Sequence, residues 1–328
     1  MIPEKTKEVL KKQHYELVGE HSGVQVCRWT KKSIRGEGVC YKEKFYGIES
    51  HRCCQMTPTV SWCDNKCQHC WRAIELTVGN KIEGKIDSPS EIIEGCIEAQ
   101  RKLLTGFKVD PDSDKEQLSK ADMKLWKEAQ EPMQFAISLS GEPTIYPHIG
   151  ELIEELSKRG KTSFLVTNGL HPEKLKKLKD KNQLPTQLYI SVNSSNEGCY
   201  ENFHKSSMPN AWEKLNGSLE IMKSLKDKTR TVFRINLVKD LNMSDEDVEE
   251  FAKLVEKAEP MFVEIKGFMS VGFARERLGY DRMPDNKEMK EFVEKLSEKT
   301  GLNILDSHEF SRAWVLGKDK EKLKITGQ

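Results

Sequence analysis

The chain has 328 residues, a net charge of +1, and 37% hydrophobic against 32% charged residues, enough to bury a large core without disulfides. Near-neutral charge gives no global case for nucleic acid, so any such case rests on local patches. No apolar run approaches the ~18 residues of a membrane span. The charged opening MIPEKTKEVLKKQ has no signal-peptide core, and the expectation is a monomeric cytoplasmic protein with no membrane partner.

The predicted elements begin with a helix near 3–14, followed by an irregular segment rich in Gly, Cys and aromatics. Strand candidates then follow at 57–63, 133–140, 162–168, 186–192, 231–238 and 261–268. Helical patterns alternate with them near 90–104, 148–159, 171–180, 211–227, 244–258 and 285–299. The helix at 244–258 places Val248, Phe251, Leu254 and Val255 on one face, and Ser244 with Asp247 reads as its start. Such alternation implies parallel β-α units with right-handed crossovers. A doubly wound sheet or a partial barrel fits, and either puts functional residues at the C-terminal strand ends. The Asp- and Lys-rich stretch 105–131 reads as a solvated surface insertion.

Nine cysteines, an odd number, occur without an export signal, which points to metal ligands or catalysis rather than disulfides. Cys96 and Cys199 stand alone and read as buried fillers. Cys63, Cys67 and Cys70 form a C-x3-C-x2-C run directly after the first strand candidate. Three thiolates so spaced can hold a cubane iron–sulfur cluster and leave its fourth iron open. The alternative is zinc, with His51 or His69 as a further ligand, although zinc knuckles prefer paired C-x2-C spacings.

Polar groups recur at the strand ends. Ser140-Gly141-Glu142-Pro143-Thr144 ends the second strand, where Gly141 admits a close backbone approach and Glu142 offers an acceptor to an ammonium. Asn168 ends the third strand, Ser191 and Asn193 the fourth, and Arg234 on the fifth is able to pair a carboxylate. Upstream, Cys27, Cys40 and Cys53 recur at equal intervals and suit a second cluster. Cys54 stands beside Cys53, and the residues alone do not choose between them.

The C-x3-C-x2-C run resembles the defining motif of the radical S-adenosylmethionine (SAM) superfamily. His69 stands where an aromatic residue usually precedes the last cysteine, a flat ring able to pack near an adenine. SGEPT resembles the superfamily's GGE segment, with Ser140 in place of the first glycine. The resemblance implies a partial (β/α)6 TIM-type barrel over 57–328 with an N-terminal cysteine-bearing extension over 1–56. It also implies SAM contacts at Ser140, Gly141, Glu142, Thr144, Asn168, Ser191, Asn193 and Arg234.

CRW (27–29), CYKEKFYGIESHRC (40–53), CQHCWR (67–72), VEIKGFMSVG (263–272) and SRAWVL (311–316) narrow the likeness. They resemble the archaeal tRNA 4-demethylwyosine synthases over nearly the whole chain. That family implies two [4Fe-4S] clusters, the second on Cys27, Cys40 and Cys53 rather than Cys54. It implies 1-methylguanosine beside the anticodon of tRNA-Phe as substrate, pyruvate as co-substrate, and an electron donor of unknown identity. For pyruvate, two anchors stand open: Lys42 as a Schiff-base amine, or the open iron of the second cluster. Trp29, Tyr41, Phe45, Tyr46 and Trp71 either stack on an extruded base or wall the clusters. Lys11, Lys12, Arg28, Lys31, Lys32 and Arg35, with Lys266, Arg275, Arg277 and Arg282, are candidate phosphate contacts. Glu264 and Lys266 are expected to face the barrel interior. The competing readings are a radical SAM enzyme acting on a peptide or small molecule, and a non-enzymatic iron–sulfur protein.

Overall fold

The structure, a computed structural model, describes residues 2–107 and 121–325. Its two compact units are Met1–Trp62 with Asn80–Leu165 and Lys324–Gln328, and Cys63–Gly79 with Val166–Leu323.

The first unit opens with α1 (Glu4–Lys12) and the antiparallel pair β1 (Glu16–Val18) and β2 (Ser22–Val24). The short helices α2 (Arg28–Ile34) and α3 (Tyr41–Tyr46) follow, then β3 (Cys53–Thr57), α4 (Pro89–Leu104), α5 (Met123–Glu128), β4 (Gln134–Ile137), α6 (Ile149–Lys158) and β5 (Thr162–Thr167). β2 pairs antiparallel with β3, whereas β3, β4 and β5 run parallel. Ser88 and Glu91 close a capping box on α4, and Pro89 takes the first helical position, where its missing N–H costs nothing. Ile92, Ile93, Cys96 and Ile97 then form the stripe that α4 buries.

The second unit carries α7 (Pro172–Asp180), β6 (Gln187–Ser191), α8 (Glu197–His204), α9 (Ala211–Ser224), β7 (Arg230–Leu237), α10 (Asp245–Ala258), β8 (Phe262–Gly267), α11 (Ala274–Leu278), α12 (Asn286–Thr300), β9 (Asn303–His308) and β10 (Ala313–Gly317). β6, β7 and β8 run parallel, and β8 is flanked antiparallel by β10, then β9. On α10 the capping box Ser244/Asp247 and the buried stripe Val248, Phe251, Leu254 and Val255 match the sequence reading. Each of β3, β4 and β5 in the first unit, and each of β6, β7 and β8 in the second, is followed in the chain by a helix, the order the (β/α)6 expectation required.

Three expectations change. The first parallel strand was expected at 57–63 but is β3, Cys53–Thr57. Pro58 has no N–H to extend the ladder, so the chain turns there. The buried Val60 and Trp62 that suggested a strand sit on that turn. The antiparallel strands β1, β2, β9 and β10 were not anticipated. Of the insertion at 105–131, residues 108–120 lie outside the described residues. Its flanks are not a solvated excursion: Phe107 and Trp126 pack with Val26, Ile34 and Leu104. Among the described residues no helix is long and apolar enough to cross a membrane.

Candidate active site

In the second unit, Cys63, Cys67 and Cys70 lie on a segment with no helix or strand from 63 to 73, each thiol half-buried. Such a loop needs outside partners for its backbone. The Cys63 N–H donates to Gly79 O (2.9 Å), Lys66 N–H to His204 O (2.9 Å) and Gln68 N–H to Phe203 O (3.0 Å), so the end of α8 serves as a template. Arg277 of α11 braces the loop from another side. Its guanidinium donates to the carbonyls of Gln68 (3.1 Å), Cys70 and Arg72 (3.1 Å) and pairs with Glu75 (2.8 Å). Gly272, at φ +57°, lets this backbone through, because a Cβ there would stand 2.4 Å from Trp71 O. The buried Asp64 accepts from His171 Nε2 (2.9 Å), and Asn65 Nδ2 donates to Tyr200 Oη (3.1 Å). Burial, then the nearby Cys67 and Cys63, pushes the Tyr200 phenol up. Burial also raises the Cys70 thiol, opposed by the Arg72 backbone N–H and the Arg277 charge.

His69 stacks on Phe203 with ring centroids 4.7 Å apart. Burial, then His204, Arg234 and Arg277, lowers its pKa to about 3, so the ring is neutral. Asn193 Nδ2 lies 3.3 Å from Nε2. If the amide donates there, the ring proton sits on Nδ1, a buried atom with no partner. A spare buried donor beside the cysteine loop is what a bound ligand would satisfy.

The strand-end residues are placed as follows. Asn193 Oδ1 accepts from Asn236 N–H (3.0 Å), and its carbonyl accepts from the buried Asn242 Nδ2 (2.8 Å). Asn168 Oδ1 accepts from Leu170 N–H (3.0 Å). Ser191, Arg234 and Glu264 line up across β6, β7 and β8. Arg234 Nε lies 3.5 Å from an oxygen of Glu264, whose side chain is wholly buried.

In the first unit, the 138–144 segment is knit to the turn after β3. Ser140 Oγ donates to Val60 O (2.9 Å), Thr57 Oγ1 to Ser140 O (2.6 Å) and Glu142 N–H to Trp62 O (2.8 Å). Gly141 has φ +67°, and a Cβ would fall 1.8 Å from Thr59 O. The close approach that requires glycine is therefore made by the chain's own backbone. The buried Glu142 accepts from both the N–H (3.0 Å) and the hydroxyl (2.6 Å) of Thr144.

The other cysteine set lies in the same unit. Cys27 stands at the N-cap position of α2 without a side-chain bond, and Cys40 caps α3, where its sulfur accepts from Lys42 N–H at 3.5 Å. Cys53 opens β3, and since successive strand residues face opposite sides, Cys54 points away. Cys54 is buried within the field of Cys96, whereas Cys53 feels Lys42, Cys27 and Cys40. Burial outweighs the Lys42 charge and pushes the Cys53 thiol up to about 12. Lys42 is buried, with Nζ 5.0 Å above the Phe164 ring. Tyr41, Phe45 and Tyr46 are buried and pack edge to face, so they wall this region and are not free to stack on a base.

Zinc and a cubane cluster make different demands on three thiolates. Among the described residues no group of three possible ligand atoms within 4.8 Å of one another includes a cysteine. A single zinc ion, with Zn–S of about 2.3 Å, gathers its sulfurs closer than that; a cubane takes each thiolate on a separate iron.

Sequence reasoning missed Asn242 and Tyr200, and did not foresee that Arg277 braces the cysteine loop. The Arg277 bond to the Cys70 carbonyl spans 207 residues, and no local pattern signals it.

Residues 57–255 match the radical SAM superfamily, and residues 257–318 match the family of wyosine base formation. An S-adenosyl-L-methionine-dependent tRNA 4-demethylwyosine synthase of Pyrococcus abyssi is 45% identical over 99% of this chain and 92% of its own length. The Methanocaldococcus jannaschii protein of that name is 35% identical over 98% and 99%. A solved structure of TYW1 with a lysine–pyruvate adduct bound superposes with a TM-score of 0.84 at 35% identity, covering 99% of this chain and 98% of that one. A radical SAM methyltransferase from Sphaerobacter thermophilus, 13% identical with a TM-score of 0.51 over 75% of this chain and 64% of that one, shares the fold alone.

Proposed function

The chain belongs to the radical SAM superfamily and, within it, to the tRNA 4-demethylwyosine synthases, and from that premise we propose that it joins pyruvate to 1-methylguanosine beside the anticodon of tRNA-Phe, closing the third ring of 4-demethylwyosine. A two-carbon unit of pyruvate enters the ring and the carboxyl carbon is lost. Cys63, Cys67 and Cys70 hold one [4Fe-4S] cluster, and Cys27, Cys40 and Cys53 hold a second. With SAM, the first cluster supplies a radical able to take hydrogen from the N1-methyl group.

The protein's own residues bind and orient. Ser140, Gly141, Glu142, Thr144, Asn168, Ser191, Asn193 and Arg234 contact SAM, and the neutral His69 ring lies flat against its adenine. Residues 1–56 act as the extension carrying the second-cluster ligands. Lys42 Nζ attacks the pyruvate carbonyl carbon, and loss of water leaves a Schiff base that fixes the carbon skeleton. Tyr41, Phe45 and Tyr46 keep water from that linkage. An external one-electron donor feeds the first cluster, and the protein works as a cytoplasmic monomer.

The observation that carries this reading is the buried Lys42 amine in the field of Cys53, alongside Cys27 and Cys40. The TYW1 relative with its lysine–pyruvate adduct supports it. Anaerobic reconstitution should give about eight iron atoms per chain, and about four after Cys27, Cys40 and Cys53 are changed to Ala. With SAM, dithionite, pyruvate and 1-methylguanosine-bearing tRNA-Phe, digestion and mass spectrometry should detect 4-demethylwyosine. Borohydride with pyruvate should tag Lys42. About four iron atoms in the parent would remove the second cluster, and a tag-free Lys42 in an active enzyme would leave iron as the pyruvate anchor.

A further inference from the structure

We infer that the outward face of α2 is the strip on which the RNA sugar–phosphate backbone lies. This rests on the tRNA reading above and names the surface that serves it. Arg28, Lys31, Lys32 and Arg35 fall at i, i+3, i+4 and i+7, so α2 and its C-cap gather four cations on one face. Thr30, Ser33 and Ile34 are buried on the opposite face.

No carboxylate answers these charges among the described residues. Elsewhere cations are commonly paired, as in Lys102–Glu16, Lys223–Glu259, Lys239–Glu288 and Lys299–Glu249. α2 packs on α5 and on the 3-10 turn Ser50–Arg52. The acids there are committed to other groups. Glu49 holds Arg52 (3.2 Å), Glu128 holds His51 (2.8 Å), and Asp122 caps α5 by accepting from the N–H groups of Lys124 (2.8 Å) and Leu125 (3.3 Å). Glu37 follows the helix and is exposed. Aromatic rings position two of the cations without neutralising them: Lys32 Nζ lies 5.6 Å above Trp29, and the Arg35 guanidinium 4.9 Å above Phe107. A row of cations with no carboxylate partner among the described residues is the electrostatic footprint of a phosphodiester strand.

The rival basic stretch is used up internally. Arg275 donates to Ser270 O (3.4 Å) and lies over Tyr280 (5.2 Å). Arg277 braces the cysteine loop, Arg282 holds Asp240 (3.0 Å), and Lys266 donates to Ser311 O (3.4 Å). Cys27, one of the second set of thiols, stands at the N-cap position of α2, so the strip begins at the site where the methylated base must arrive.

The test is fluorescence anisotropy of labelled tRNA-Phe transcript binding to reconstituted protein across a potassium chloride series. Arg28→Ala/Lys31→Ala should lower the slope of log K against log salt by about 1.5, the value for two lost phosphate contacts. Arg28→Lys/Lys31→Arg should keep the parental slope, which separates charge from folding. Arg275→Ala/Arg282→Ala should leave it unchanged. A parental slope in the α2 Ala variant, or a reduced one only in the Arg275/Arg282 variant, would overturn this inference and leave the enzyme reading intact. Failure of the parent to bind the transcript at low salt would overturn the tRNA reading and this inference together.

Discussion

Replacing Arg277 with Met should loosen the first cluster without unfolding the protein. The guanidinium donates to three carbonyls of the cysteine loop. Charge-assisted bonds are worth roughly 1.5–3 kcal/mol each, less where water can substitute. The accompanying Glu75 carboxylate is 56% exposed, so that pair adds at most about 1 kcal/mol. A sum of about 3–5 kcal/mol in loop order corresponds to a factor of roughly 100 to 4,000 in the frayed population. The assay is iron transfer to a ferrous chelator, run in the Cys27/Cys40/Cys53→Ala background so that only the Cys63/Cys67/Cys70 cluster contributes. The Met variant should release iron about 100-fold faster, and Arg277→Lys should fall between, since an ammonium cannot reach three carbonyls at once. A Met variant within threefold of its parent would refute the bracing role.

Gly141→Ala forces a left-handed alanine against the Thr59 carbonyl; a cost above about 3 kcal/mol should lower the melting temperature by roughly 5–10 °C, and an unchanged melt would contradict the geometry. Arg234→Met removes an ion-pair partner of the buried Glu264 carboxylate and should cost up to about 3–5 kcal/mol in urea denaturation, most of it recovered by Arg234→Met/Glu264→Met. His21 is wholly buried, with Nδ1 2.7 Å from Pro58 O and Nε2 accepting from Asp87 N–H at 3.0 Å. Burial lowers its pKa despite the Pro58 carbonyl, Asp87 and Glu20. A lowered folded pKa means the unfolded chain takes up the proton first, so stability is full above about pH 6.5 and falls as pH drops below it. His69 and His204, lowered to about 3 and about 4, add to the same trend. The urea midpoint should therefore fall between about pH 7.5 and about pH 5.5, and by less in His21→Asn; an identical fall in that variant would exclude His21 as a contributor.

Much of the candidate site was legible because its signals are local. A C-x3-C-x2-C run, an SGEPT segment and amphipathic stripes each depend on residues a few positions apart, and covalent spacing alone restricts where their side chains go. The (β/α) order followed from the same short periods. What lay beyond was decided by contacts distant in the chain. Cys53 and Cys54 are indistinguishable as letters; the pleat of β3 turns one toward Lys42, Cys27 and Cys40 and the other toward Cys96. At Gly141 the sequence shows a need for close backbone approach, but not that the Thr59 carbonyl is what stands 1.8 Å from where its Cβ would be. Arg28 and Arg277 looked alike as basic residues. One lies on a helix face that no carboxylate answers among the described residues, while the other spends its donors on a loop some two hundred residues away. The kind of chemistry was thus set by residue type and spacing, which sequence states directly. Which charges remain available to a substrate was settled by folding, because a charge is consumed or spared only by what the tertiary structure brings beside it.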